Sequence, residues 1–219
     1  DRLHVRSGSV VVLTGDGELQ EGQFWESLQP TANRALGEIT VIVDHNKLQS
    51  DTWVTKVSDL GALERKIEAF GWAVRRCDGH DVAAFAATLE ELRAAEPSRP
   101  KLVVADTLKG CGVRRMEPHD VPQEETSLYR FHSGAPGPEE YDRGLEDLLA
   151  RLDGRLERLG ASPVKLERRD APTRRAPAQP QRLVHAYSEA LLAAAEREPR
   201  LVALDADLRL DTGIVAFRE

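Results

Sequence analysis

The sequence contains few cysteines, few aromatic residues and no excess of positive charge. Its 219 residues include only Cys77 and Cys111 as cysteines, and aromatic residues make up 5%. Two cysteines are too few for a disulfide framework, so we expect a protein of a reducing compartment, the cytoplasm. The net charge of −7 argues against a nucleic-acid or acidic-membrane surface, because neither attracts an acidic partner.

Long apolar runs are also missing. No run approaches the roughly 18 apolar residues that a transmembrane helix requires, and no signal sequence opens the chain. Hydrophobic residues nevertheless make up 41% of the sequence, as is typical of a globular protein. A core strand follows the polar opening DRLHVRS almost at once. We therefore expect the natural N-terminus to lie upstream.

Predicted strands and helices alternate along the first half of the chain. Val10 to Thr14 is uncharged and mostly β-branched, so we expect a strand that is buried on both faces. Apolar residues then recur at helical spacing, and this predicted helix ends at Gly37. Ser58 or Asp59 is placed to cap a later helix. Further strands are predicted over 39–43, 72–77 and 101–107. Asp81 is placed to cap a helix between the last two of these strands. This alternation predicts an α/β fold, a doubly wound parallel sheet with helices on both faces.

The second half of the chain is organised differently. Residues 108–140 lack periodicity, and residues 141–159 have the pattern of an amphipathic helix. Residues 161–182 are rich in proline and arginine and predict a linker. A helix over 183–198 and a strand over 201–204 predict the start of a second α/β domain. We therefore expect a first domain over 1–160, the linker, and an incomplete second domain over 183–219.

Two polar side chains follow neighbouring predicted strands. Asp16 lies in the Gly15-Asp16-Gly17 turn after the first strand, and Asn46 follows the second strand 30 residues later. Ligands of parallel sheets bind beyond the carboxyl ends of the strands. Carboxylate and amide oxygens suit a hard cation such as Mg²⁺, which usually keeps part of its shell for a substrate phosphate. Gly17 would let backbone N–H groups approach such a phosphate.

These residues resemble the thiamine diphosphate motif of the transketolase family, GDGELQEG followed by a spaced asparagine. Further blocks resemble the family in the same order, namely DGHD at 78–81, DTLKGCGV at 106–113, HSGAP at 132–136, and LVALDADL with TGIVAF at 201–217. The resemblance covers nearly the whole chain and is weakest in the linker. It implies a thiamine diphosphate-binding domain followed by the opening of a pyrimidine-binding domain.

The resemblance also implies roles for individual residues. Asp16, the Asn46 side chain and the Leu48 backbone carbonyl would bind the metal, which is Mg²⁺, with Ca²⁺ or Mn²⁺ as alternatives. The cofactor would contact the residues of the glycine turn together with others, namely Gly15, Asp16, Gly17, Glu21, Asn46 and His132. His132 would also act on the substrate, as the catalytic residue of this segment. Cys111 departs from the family pattern, which commonly has lysine there.

Several residues keep two interpretations. Glu21 is either a cofactor-site residue near a dimer interface or an ordinary acid of a first helical turn. His119 competes with His132 for the catalytic role in the same irregular segment. Lys109 is either a phosphate contact or a solvated turn lysine. For three further residues a structural role is the favoured interpretation: His45, His80 and Asp81.

The activity implied by the resemblance is transfer of a two-carbon ketol unit from a ketose phosphate to an aldose phosphate. The family places the activating glutamate in the second domain of a partner chain, so we expect a homodimer or a split-subunit partner and no activity from this chain alone. Two alternatives remain. One is another thiamine diphosphate enzyme, a deoxyxylulose phosphate synthase or a 2-oxo acid dehydrogenase component. The other is a non-catalytic cofactor-binding half that needs a partner.

Overall fold

The computed structural model describes residues 8–120, 128–133, 135–167, 183–203, 205 and 209–218. The chain divides into two compact units. The first comprises Asp1–Cys111 and Glu117–Tyr129, and the second comprises Gly112–Met116 and Arg130–Glu219. The domain boundaries expected from the sequence remain predictions.

A parallel four-stranded sheet forms the centre of the first unit. Its strands are β1 (Val10–Gly15), β2 (Ile39–His45), β5 (Ala73–Asp78) and β6 (Lys101–Asp106), in the order β1-β2-β6-β5. The carboxyl ends are in register, because Gly15 pairs with Asp44 and Asp106 pairs with both His45 and Asp78. The polar residues that follow these strands are thus brought to one edge of the sheet.

Helices cover both faces of this sheet. The helices of the first unit are α1 (Gly22–Asn33), α2 (Val54–Val57), α3 (Leu63–Ala69) and α4 (Val82–Ala95). Side chains of α1 and α3, such as Leu28 and Ile67, pack with Leu102 and Val104 of β6. Leu92 of α4 packs with Val103 and Ala73 in a second cluster. The alternation of side chains along β6 therefore places its residues in two cores, and the predicted doubly wound α/β fold is confirmed.

The prediction that β1 is buried on both faces is wrong in this structure. Val10, Val11, Val12 and Leu13 are between 44% and 71% exposed. Within the described part of the sheet, β1 pairs only with β2. The uncharged sequence of β1 correctly predicts a strand, but the number of neighbours that a strand has is set by the topology.

The predicted cap of α3 is also wrong. This helix begins at Leu63, its N-cap is Ala62, and no side chain caps it. Asp59 instead accepts a hydrogen bond from the backbone N–H of Gly61 at 2.9 Å, within its own turn. Asp81, in contrast, caps α4 as predicted by accepting from the N–H groups of Ala83 and Ala84.

A small hairpin escaped the sequence analysis. Strands β3 (Leu48–Gln49) and β4 (Thr52–Trp53) pair antiparallel directly after the end of β2, and α2 follows. Two-residue strands have too little periodicity to be recognised in a sequence. The hairpin matters because its first residue, Leu48, belongs to the candidate site.

The second unit is mainly helical in the residues that are described. It contains α5 (Pro138–Arg158), α6 (Leu183–Arg197) and the short α7 (Arg209–Thr212). The first two agree with the predicted helices. The strand expected over 201–204 is not formed at 201–203, while Leu204 and most of the predicted linker lie outside the described residues. No helix in the described part of the chain is long and apolar enough to span a membrane.

Gly37, in the turn between α1 and β2, provides a test of how closely that turn approaches the segment between α4 and β6. A Cβ atom at this position would lie 2.0 Å from the backbone oxygen of Pro97. We expect Gly37→Ala to lower the free energy of unfolding by about 1–3 kcal/mol, because backbone must shift to accommodate the methyl group. Urea denaturation measures this change.

Gly22→Ala is the matched control. A Cβ at Gly22 would meet only the Glu26 carboxylate, at 3.9 Å, and alanine is the better helix former by about 1 kcal/mol. Gly22→Ala should therefore be neutral or stabilising. Equal stability of the two variants would contradict the close approach at Gly37.

Candidate metal and diphosphate site

Asp16 is the buried carboxylate of the site. It lies directly after β1, is 1% exposed, and accepts a hydrogen bond from the backbone N–H of Lys47 at 2.5 Å. The Asp16 N–H in turn donates to the backbone oxygen of Asp44 at 3.2 Å. Burial raises the pKa of Asp16, and the amides of Lys47 and Gly17 only partly offset that effect. A buried anion with so few donors is suited to a cation ligand.

The turn after β2 is bound to Asp16 through Lys47. Lys47 adopts φ 70°, in the left-handed region that non-glycine residues rarely occupy. The Asn46 side-chain oxygen accepts from the Leu48 N–H at 3.0 Å, and its nitrogen donates to Asp44 at 3.3 Å. The structure therefore brings the Asp16 carboxylate and the Asn46–Leu48 turn together, although Asp16 and Asn46 lie 30 residues apart in sequence.

Lys109 provides positive charge next to this turn. Its ammonium group donates to the Leu48 carbonyl at 3.4 Å and lies 5.4 Å from the centre of the Tyr129 ring. Burial lowers the pKa of Lys109, whereas the charges of Asp16 and Asp44 oppose that effect. Lys109 is thus partly buried and has partners within the protein, which favours the phosphate contact over a solvated turn lysine. The phosphate contact stays a prediction.

Gly17 forms a close backbone approach at the site. It begins a short 3-10 turn, Gly17–Gln20, and a Cβ atom there would lie 2.7 Å from the Cβ of Gln49. Any larger residue at position 17 would push the turn away from the β3–β4 hairpin. This fits the predicted use of Gly17, where backbone must approach a phosphate closely.

Glu18 is a site residue that the sequence analysis missed. Its carboxylate accepts from the Gly15 N–H at 2.7 Å and from the Thr14 hydroxyl at 3.0 Å. The sequence pattern that could have indicated this role is an acidic residue three positions after a glycine at the start of a helical turn. An acid at that position commonly accepts hydrogen bonds from free backbone N–H groups. Glu18 thus shapes the turn that holds Asp16.

For two predicted residues, Glu21 and His132, the structure supplies no test of the predicted role. Glu21 is exposed at the N-cap of α1 and makes no side-chain capping bond. His132 is an exposed residue of the second unit. Its competitor His119 lies 2.6 Å from the Glu117 carboxylate. The roles of Glu21 and His132 in cofactor binding and catalysis stay predictions.

Asp106 gathers three basic side chains beside the turn, and the sequence analysis did not identify it. It accepts from the Lys47 ammonium at 2.9 Å, from Arg76 at 2.9 Å through both of its oxygens, and lies 3.0 Å from Nδ1 of His45. Burial tends to raise the pKa of Asp106, but these three partners hold it well below its usual range. This contact supports the structural role expected for His45, which stays a prediction.

The donor set fits a hard divalent cation bound together with a diphosphate. One carboxylate, one amide oxygen and one backbone carbonyl are available at Asp16, Asn46 and Leu48, and oxygen ligands of this kind suit Mg²⁺. In the described residues no three His, Cys, Asp or Glu side chains cluster as metal ligands. A single carboxylate neutralises only one of the two positive charges of a divalent cation. The bound cation therefore requires an additional anionic ligand, such as a phosphate.

The parallel sheet, with its buried aspartate and glycine turn at the carboxyl edge, defines an α/β protein with polar residues at the edge where ligands of such sheets bind. A family model for the thiamine diphosphate binding domain of transketolase matches residues 3–127. Because that region is more than half of the chain, this protein belongs to the transketolase family.

Individual relatives agree with this assignment. An apulose-4-phosphate transketolase subunit from Actinobacillus succinogenes is 34% identical over 146 residues, covering 65% of this chain and 49% of that protein. The human transketolase is 25% identical over 223 residues, covering 96% of this chain and 33% of that protein. The chain thus spans about half the length, or less, of the curated relatives it matches.

Solved structures show the same fold. Transketolase from Leishmania mexicana is similar with a TM-score of 0.52 at 26% identity, over 73% of this chain and 21% of that one. Transketolase from Campylobacter jejuni is similar with a TM-score of 0.54 at 23% identity, over 72% and 21% respectively. The second likeness supports the fold alone.

The burial of Asp16 makes a prediction about stability without metal. A carboxyl group whose pKa is raised by folding destabilises the folded state once it ionises, so the cost is absent below the ordinary value of 3.8. We expect Asp16→Asn to unfold at a higher urea concentration than the wild type at pH 7 in chelator. This advantage should shrink as the pH falls towards 3.8.

The control for this experiment is Asp59→Asn, at an exposed carboxylate. It should show no comparable gain at pH 7. A lower stability of Asp16→Asn at pH 7 would show that the ionised Asp16 is compensated by its partners after all.

Proposed function

We propose that this chain supplies the metal- and diphosphate-binding part of a transketolase-type enzyme. That enzyme moves a two-carbon ketol unit from a ketose phosphate to an aldose phosphate, with thiamine diphosphate and Mg²⁺. The observation that supports this most is the buried Asp16 carboxylate, bound to the Asn46–Leu48 turn of the next strand. Family membership supplies the identity of the cofactor.

In this proposal, Asp16, Asn46 and the Leu48 carbonyl hold the metal, and Gly17 lets the backbone approach the diphosphate. Lys109, which already donates to the Leu48 carbonyl, would turn towards the added phosphate charge. Thiamine diphosphate supplies an electron sink for a carbanion next to a former carbonyl. The residues of this chain bind and orient that cofactor, and His132 holds a proton or hydrogen bond at the substrate.

A second polypeptide chain is part of the proposal. Two relatives are named as subunits, the apulose-4-phosphate transketolase subunit from Actinobacillus succinogenes and the 6-deoxy-6-sulfo-D-fructose transketolase subunit SqwG of Clostridium, which is 34% identical over 104 residues. These names favour a split enzyme, in which a second chain contributes the pyrimidine-binding domain and the activating acid. Sugar phosphates are then the substrate class to test first.

The metal assignment predicts a loss of cofactor binding in Asp16→Asn. Removing the only carboxylate ligand should weaken thiamine diphosphate binding in the presence of Mg²⁺ by at least roughly 100-fold, or about 2.7 kcal/mol. Isothermal titration of the full-length protein, with its partner chain if one is required, measures this affinity. Asn46→Ala should be milder, because it removes a neutral ligand.

Asp59→Asn again serves as the control and should bind like the wild type. Wild-type affinity in Asp16→Asn would refute the metal assignment. The stability prediction for the same variant is independent, because it is measured in chelator.

The reaction itself predicts a specific product pattern. The complete enzyme should convert xylulose 5-phosphate and ribose 5-phosphate by ketol transfer, without releasing carbon dioxide. If the histidine acts in proton transfer, His132→Ala should lower kcat by about 10²–10⁴-fold. The affinity for thiamine diphosphate should fall by less than kcat does. Coupled assays and a titration of the cofactor separate the two effects.

Carbon dioxide release from pyruvate without ketol transfer would favour another thiamine diphosphate enzyme. His119→Ala is the comparison variant, because its side chain pairs with Glu117 and should leave turnover unchanged. A larger loss in His119→Ala than in His132→Ala would reverse the assignment of the two histidines.

A further inference from the structure

Lys47 is held by carboxylates from two different strands. Its backbone N–H donates to Asp16, after β1, at 2.5 Å, and its ammonium donates to Asp106, at the end of β6, at 2.9 Å. One residue of the turn after β2 thereby contacts the ends of both neighbouring strands. One contact is made by the backbone and the other by the end of the side chain, so together they restrict the position of the turn.

The backbone conformation of Lys47 requires such support. A φ of 70° costs free energy at any residue with a Cβ, and it persists where the surroundings stabilise it. Glycine or asparagine would adopt this conformation more readily. A lysine here is understandable because its ammonium reaches Asp106, which a shorter side chain would not.

Asp106 is in turn fixed by residues outside the turn. Arg76 of β5 donates to both of its oxygens, and the Arg76 side chain is itself bound at 2.5 Å by Glu64 of α3. His45, the register partner of Asp106 in β2, lies 3.0 Å away. The Asp106 carboxylate is therefore fixed in position by residues of the sheet and, through Arg76, by α3. In this position it binds the Lys47 side chain.

We propose that Asp106 is a positioning residue for the Asn46–Leu48 turn. Through Lys47, it stabilises the left-handed conformation of that residue, which places the Lys47 amide on Asp16 and fixes the positions of its two chain neighbours, Asn46 and Leu48. Asp106 itself is not among the proposed metal ligands. This inference rests on the proposed function for its effect on the cofactor, but the effect on the turn is independent of any ligand.

The test compares Asp106→Asn with Glu64→Gln. Asp106→Asn keeps the shape and removes the charge that holds Lys47. Glu64→Gln weakens the Arg76 interaction and leaves the Lys47 contact in place. Two quantities are measured on the full-length protein: hydrogen exchange of the Lys47 amide without ligand, and the affinity for thiamine diphosphate with Mg²⁺.

We expect Asp106→Asn to speed exchange of the Lys47 amide about 10-fold and to weaken cofactor binding by about 10-fold, the lower end of losses seen when an outer partner of a metal site is removed. Glu64→Gln should change either quantity less than about 2-fold, because the Lys47 contact remains. Asp106→Glu, which restores the charge, should recover part of both losses. Equal exchange rates in Asp106→Asn and the wild type would overturn the inference.

A second variant protects the test from general destabilisation. Lys47→Met removes the ammonium and leaves Asp106 with Arg76 and His45. The double variant with Asp106→Asn should then bind the cofactor no worse than the weaker of the two single variants, because both remove one interaction. Fully additive losses would overturn the inference. Absence of Mg²⁺-dependent binding in the wild type would refute the proposed function, while the exchange measurement would still decide the role of Asp106.

Discussion

The hydrogen bond from the Lys47 amide to the buried Asp16 carboxylate is the contact on which the candidate site depends. Burial removes water from this carboxylate, so an unpartnered Asp16 would destabilise the folded chain. The donor is backbone, and it is supplied by the turn after the neighbouring strand. That single contact requires the parallel register of β1 and β2, in which Gly15 pairs with Asp44, and a left-handed backbone at Lys47. The proposed metal ligands are close together because these conditions are met.

The charges around the site form two groups with different tasks. Asp16 and Asp44 face Lys109, whose pKa they tend to raise against the effect of burial. Asp106 faces Lys47 and Arg76 and is strongly stabilised in its ionised form. The first group surrounds the position proposed for the metal and diphosphate, so its charges must rearrange when ligands of both signs bind. The second group already has its partners within the protein and is suited to a structural task.

Family membership and geometry support different parts of the functional conclusion. The match over residues 3–127 establishes the family and its thiamine diphosphate-binding domain. The geometry shows that this particular chain has a buried carboxylate, a close glycine approach and an adjacent ammonium group at the edge where ligands bind. Because the chain covers 49% of one relative that is named as a subunit and 33% of the human enzyme, the reaction of the whole protein rests on the proposal.

The sequence by itself determined the features that depend on short stretches: the alternation of strands and helices, the Asp81 cap of α4 and the glycine turn around Asp16. Hydrophobic spacing and capping are local, so they can be read without knowing what packs where. Tertiary structure alone decided that β1 is exposed, that Asp59 does not cap α3 and that Asp106 binds a lysine 59 residues away. Such features depend on which strands become neighbours, and strand order follows from packing of the whole sheet rather than from the residues of any one strand.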